Sequence, residues 1–177
     1  MKNIGSLIFL VIGAVAFFLI KGGLGNSAVN YNNKIVDQQA SVIEKMFDLV
    51  ESLKKRDGTQ MKKNLRLLQE QITESADAIG QMEGYEGSTK LRDAALDLME
   101  FYEAVSHEEF VTMVDILSKP DSEITQFDVE QIQDLERRIS QEELELDAML
   151  QQAQREFANE HDFKIQANKY QKKIDNM

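Results

Sequence analysis

The chain has 177 residues, with 20 Lys and Arg against 31 Asp and Glu, a net charge of -11, 2 histidines, no cysteine and no tryptophan. Without cysteine there can be no disulfide, no thiolate metal site, no cysteine nucleophile and no lipid joined through sulfur. The acidic balance argues against nucleic acid as a partner.

The first feature is an uncharged run from Ile4 to Ile20, flanked by Lys2 and Lys21. It has no polar face, and as a helix it would be about 25 Å long, at the short end for crossing a bilayer. Two expectations follow. One is an uncleaved signal anchor. The other is a signal peptide cleaved near Gly25 or Ser27, with the product secreted. The anchor reading makes the membrane a partner through residues 4–20. It places the chain as a single-pass protein of a bacterial inner membrane, with its bulk in the periplasm or otherwise extracytoplasmic. Gly5, Gly13 and Ala16 would then offer small residues for packing against other spans.

Beyond Gly22, Gly23 and Gly25 the pattern becomes amphipathic. A first helix is expected from about Asn30 to Arg56, with Ile35, Val42, Met46, Leu49 and Leu53 on one face and Ile43 and Val50 beside it. Asp57-Gly58-Thr59 ends it, Gly58 being suited to a left-handed position. A second helix is expected from about Gln60 to Met82, with Met61, Leu65, Leu68, Ile72, Ala76, Ile79 and Met82 in its stripe. A third runs from about Thr89 to Ser118 through Leu91, Ala95, Leu98, Phe101, Tyr102, Val105, Met113, Ile116 and Leu117. The stripe thins at His107, Glu108 and Glu109, and Pro120 stops it. The fourth and longest starts near Thr125, where Thr125 and Asp128 form a capping pair, or a turn earlier near Asp121, and reaches His161. Ile132, Leu135, Ile139, Leu146, Met149, Ala153 and Phe157 mark its face.

Short links between long amphipathic helices predict an all-α fold, an elongated antiparallel up-down-up-down four-helix bundle behind an N-terminal transmembrane helix or signal segment. The domains read as 1–27, anchor and linker; 28–162, bundle; and 163–177, a basic C-terminal extension. Leu49, Leu68, Leu98 and Leu135 are expected to face one another in the bundle centre.

Chemistry is sparse. A di-metal bundle needs two Glu-x-x-His pairs, but Ala104 and Ala158 stand three residues before His107 and His161. Glu103 and His107 read as a solvated pair. Glu142, Glu143, Glu145 and Asp147 lack calcium-loop spacing and read as a solvated face. Arg137 and Arg138 read as surface charge. Tyr31, Phe101, Tyr102, Phe110, Phe127, Phe157 and Phe163 read as packing, with Phe110 and Val111 as a possible contact patch. No nucleophile elbow or phosphate loop is present, so no catalytic, cofactor-binding or metal residue is assigned.

Tyr31-Asn32-Asn33-Lys34-Ile35-Val36-Asp37-Gln38-Gln39 resembles the opening of helical-bundle lipoproteins of unknown function from the envelopes of Bacteroidota and leptospires. The layout is also similar to membrane-anchored helical proteins of the LemA type. Either resemblance implies an envelope bundle and no catalytic residue. The expected function is a membrane-tethered, non-enzymatic binding or scaffold protein with an envelope protein partner. The alternatives are a small single-span subunit of a larger envelope complex, or a ligand-sensing bundle acting through a partner.

Overall fold

The computed structural model of the chain describes residues 18–19 and 27–167. Helix α1 is Ser27–Lys55, α2 Gly58–Gly80, α3 Lys90–His107, α4 Glu109–Leu117 and α5 Gln126–Glu160. Strand β1, Phe18–Leu19, pairs antiparallel with strand β2, Gln166–Ala167. The helices form a four-helix bundle in which α3 and α4 together make the third member. Helix α1 packs on α2, α2 on α3 and α3 on α5.

Burial in α1 follows a heptad row, Ala28, Asn32, Ile35, Gln39, Val42, Met46, Leu49 and Leu53, in alternating steps of four and three. Lys54 and Lys55 stand in its last turn, where the helix dipole favours cations. Left-handed backbone in the following turn falls on Arg56, with φ 52°, and not on Gly58, which is the first residue of α2. The strain is held by the Arg56 guanidinium, which donates to the carbonyls of Leu117 and Lys119 at 3.2 and 2.5 Å and pairs with Asp121. Asp57 caps α2 by accepting from the Thr59 and Gln60 amides, both at 3.1 Å.

The expected third helix is broken at Glu108. The row Leu91, Ala95, Leu98, Tyr102 and Val105 would next need apolar side chains at 109 and 112, where Glu109 and Thr112 stand. After the break, Phe110, Met113, Val114 and Leu117 turn inward. Helix α5 begins at the predicted Thr125–Asp128 capping box.

Leu49, Leu68, Leu98 and Leu135 are all buried in one apolar core. They do not share a level. Asn64 donates to the Asp48 carbonyl, Gln69 to the Ser106 carbonyl and Tyr102 to Glu143. These cross-helix bonds fix registers that place Leu98 roughly 20 Å along the bundle from Leu49, at 1.5 Å per residue.

The membrane expectation is corrected here. Residues 4–17 and Ile20 lie outside the described residues, but Phe18 and Leu19 form a strand with a partner after α5, where a spanning helix through Ile20 was expected. Among the described residues, no helix is long and apolar enough to cross a membrane. The expected N-terminal span does not hold. Neither do the inner-membrane single-pass placement, the tether through residues 4–20, or the single-span subunit that rested on it. An apolar run without a polar face has no period to tell helix from strand, and an aromatic residue such as Phe18 suits a strand.

Candidate functional site

Two polar arrangements stand out in this apolar bundle. The first is a layer across its middle, to which each main helix gives one buried polar residue. Gln39 of α1, Ser75 of α2, Tyr102 of α3 and Glu143 of α5 are 1%, 0%, 3% and 0% exposed. Ser75 Oγ donates to the Gln38 carbonyl at 3.4 Å, and the Tyr102 hydroxyl donates to Glu143 Oε1 at 2.7 Å. Both amide atoms of Gln39 are buried without a hydrogen-bond partner. Asp147 lies one turn further along α5, accepts from Gln151 Nε2 at 2.5 Å, and is also buried.

The low-dielectric surroundings act on these groups. Burial pushes the Tyr102 hydroxyl well above its ordinary value, and the charges of Glu143 and Asp147 push it the same way. Burial raises the Asp147 carboxyl to about 6, against the opposing influence of Gln151 and Arg155. Glu136, with a buried Oε1 that no donor reaches, is raised to about 7 by burial alone. At the head of α5 the opposite holds: the Lys119 ammonium at 2.6 Å and the Thr125 donors pull Asp128 down to about 2.

The expectation that Glu143 and Asp147 are solvated is therefore wrong. The apolar row of α5 continues from Ile139 to Leu146, Met149 and Ala153. The buried row instead passes through Glu143, Asp147, Leu150 and Gln154. Leu146 is half-buried, and Met149 and Leu144 are 54% and 61% exposed. Buried positions 147, 150 and 154 each fall one residue after the apolar 146, 149 and 153, so this part of the helix is turned by about 100° from where its own hydrophobicity would set it. Gln154 Nε2, 3.5 Å from Asn32 Oδ1, joins α5 to α1 in that setting.

The second arrangement is a cleft of about 410 Å³ at the end of the bundle. Tyr31 and Lys34 of α1, Ala78 of α2, and Met82, Glu83, Tyr85 and Glu86 of the following loop line it. A tight turn builds the loop. The backbones of Tyr85 and Ser88 exchange hydrogen bonds of 2.9 and 3.0 Å across Glu86 and Gly87, whose φ values are 50° and 86°. Gly84 is required beside it, because a Cβ there would lie 2.8 Å from the Ser88 carbonyl oxygen. The turn holds the Tyr85 ring 5.4 Å from the Tyr31 ring, tilted by 53°. Phe157 near the end of α5 packs on both rings, and His161 just beyond the helix packs on Tyr85. The Tyr85 hydroxyl is tied to Ser27 Oγ at 2.6 Å, whereas the Tyr31 hydroxyl is buried with no partner, and burial raises it.

The other residues singled out from the sequence lie elsewhere. His107 is exposed, its Nδ1 3.4 Å from Gln69 Nε2. Glu142 and Glu145 are exposed and line a groove with Phe101, Val105, Glu109 and Arg138. Arg137 pairs with Asp134, and Arg138 with Asp134 and Glu109. Phe110 is buried, Val111 sits at the margin, and Phe127, expected in packing, is 71% exposed. Among the described residues, no group of three or more His, Asp or Glu side chains could hold a metal ion. No protein-family model, curated protein or solved structure matches the chain.

Proposed function

We propose that this chain is a non-enzymatic, ligand-sensing helical bundle that takes a small molecule in the cleft walled by Tyr31 and Tyr85 and acts through a partner. The observation that carries the reading is the cleft itself: about 410 Å³, with the Tyr31 and Tyr85 rings in its wall and the side chains of Lys34, Gln81, Glu83 and Glu86 around them. Ligand sites are concave, largely apolar and preformed, with a few polar groups that orient the ligand. The cleft joins α1, the end of α2 and the 81–89 loop, and α5 backs it through Phe157. An occupant touching all of these would change how firmly the bundle end is closed, which is the property a partner can sense.

The test is thermal unfolding of the whole chain in the presence of small amines, carboxylates and uncharged compounds. A ligand at about a hundred times its Kd should add about 2.7 kcal/mol and raise Tm by about 5–10 °C. The control is Ala78→Phe. Ala78 is exposed on α2 and lines the cleft, so a phenyl group there fills the space without removing a core contact. The gain in Tm should vanish in that variant. If no compound raises Tm, or if the gain survives Ala78→Phe, the cleft is not the ligand site.

A further inference from the structure

We propose that the apolar run of residues 4–17 packs on this chain's own α1, along a second buried row that the other helices leave to a further neighbour. Helix α2 lies between α1 and α3 and buries 6 of its 23 residues, in one row. Helix α1 buries 14 of its 29. Beside its heptad row stands another, made of Val29, Val36, Ile43, Phe47 and Val50, about 90° round the helix. Val36, Ile43 and Val50 are each 1% exposed. Helix α2 is on the other flank, where Asn64 and Ser75 bind the carbonyls of Asp48 and Gln38. Helix α5 reaches the start of α1, through Gln154 near Asn32 and Phe157 on Tyr31. Among the described residues, these two helices do not pack closely along their length. One apolar stripe serves a helix packed into a bundle, and a second stripe at a right angle to it needs a neighbour of its own.

The course of the chain names that neighbour. Phe18 and Leu19 pair with Gln166 and Ala167 just beyond the end of α5, and this strand lies against α1. The run therefore sets out beside α1, at the end of the bundle where that helix begins. Its fourteen residues reach about 21 Å as a helix and about 46 Å if extended. Either form covers the distance along α1 from Val29 to Ile43, about 21 Å. Residues 4–17 hold no charged side chain, and nine of the fourteen are Ile, Leu, Val or Phe. Such a run gains by leaving water for an apolar row. Residues 168–177 suit the row poorly, since they carry Lys169, Lys172, Lys173 and Asp175. A second copy of the chain would have to compete with a run already tethered next to the row, at a high effective concentration.

The test is a disulfide scan in the whole chain, which has no cysteine of its own. Ala40 is partly buried at the outer edge of the second row, about one turn from both Val36 and Ile43. Ala40→Cys is combined with Gly5→Cys, then Ser6→Cys, and so on through Ala16→Cys, one at a time. Cysteine is close to alanine in size, so the row stays intact, and circular dichroism checks each variant. A disulfide needs its two Cα atoms within about 7 Å. Under mild oxidation an intramolecular bond should form at one or more of these positions. It should form at least about tenfold faster than when the same cysteine is paired with Lys63→Cys, on the exposed outer face of α2. Gels run without reductant separate this product from a dimer. Equal rates at Ala40→Cys and Lys63→Cys, or no bond at any position, would overturn the packing of the run on α1. A bond that forms only between two chains would overturn the own-chain occupant and assign the row to a second copy.

Discussion

Asp147 is a buried carboxyl whose charge the fold opposes, and removing that charge should stabilise the protein in a pH-dependent way. Its value rises from 3.8 to about 6 on folding. At about 1.4 kcal/mol per pK unit, the native state at neutral pH carries a penalty of about 3 kcal/mol relative to an Asp147 that ionised as freely as in the unfolded chain. The direction follows from proton counting. Between the two values the native state keeps a proton that the unfolded chain has lost, so stability falls as pH rises through that window and is flat on either side. Asp147→Asn removes the titration and keeps the shape, and the Gln151 amide can turn over to keep its bond to position 147. In urea unfolding at about pH 7.5, the variant should be more stable by up to about 3 kcal/mol, or about 6–12 °C in Tm. At about pH 3.5 the two proteins should agree to within about 0.5 kcal/mol. A stability difference that is the same at both pH values, or a variant less stable at the higher one, would refute the assignment of Asp147 as a charge held against its preference.

Other outcomes follow from the same structure. Gln39→Leu should stabilise by about 1–3 kcal/mol in urea unfolding, because it removes an amide buried without partners from between Ile35 and Val42 of the α1 heptad row. Tyr102→Phe should cost about 1–3 kcal/mol by the same assay, since it takes the hydroxyl donor away from the buried Glu143. Leu98→Ala should cost about 2–5 kcal/mol, whereas Met149→Gln should move stability by about 0.5 kcal/mol or less, as that side chain is half in solvent. Thr125→Ala should cost about 1 kcal/mol through loss of the α5 capping box, read as earlier thermal unfolding.

Most of the helices were legible because their signals are local. Steps of three and four place α1, α2 and α5, and Thr125 with Asp128 marks the start of α5 within the chain's own neighbourhood. The break at Glu108 could have been read from the row itself, which meets Glu109 and Thr112 where it needs apolar residues. The polar layer was partly visible too: Asn32 and Gln39 extend the α1 row, although a polar residue at such a position is easily assigned to the edge of a stripe. The two-residue strand at Phe18–Leu19 was not legible, because its partner lies almost 150 residues away at Gln166–Ala167 and an all-apolar run has no period of its own.

The sequence by itself determined an all-α bundle with no cysteine chemistry, the approximate ends of its helices and the bulk of its apolar core. These depend on spacing and on capping, which act over a few residues. Only the tertiary structure decided which way α5 is turned. Its own hydrophobicity favours Leu146 and Met149 inward, yet contacts with α1 and α3, among them Gln154 with Asn32 and Tyr102 with Glu143, bring two carboxyls inside. Tertiary structure also decided the cleft, whose walls come from residues 31 and 85 and whose support comes from residue 157. A rotation of a helix and the meeting of three distant segments are set by the sum of contacts between elements, and no window of the chain contains that sum.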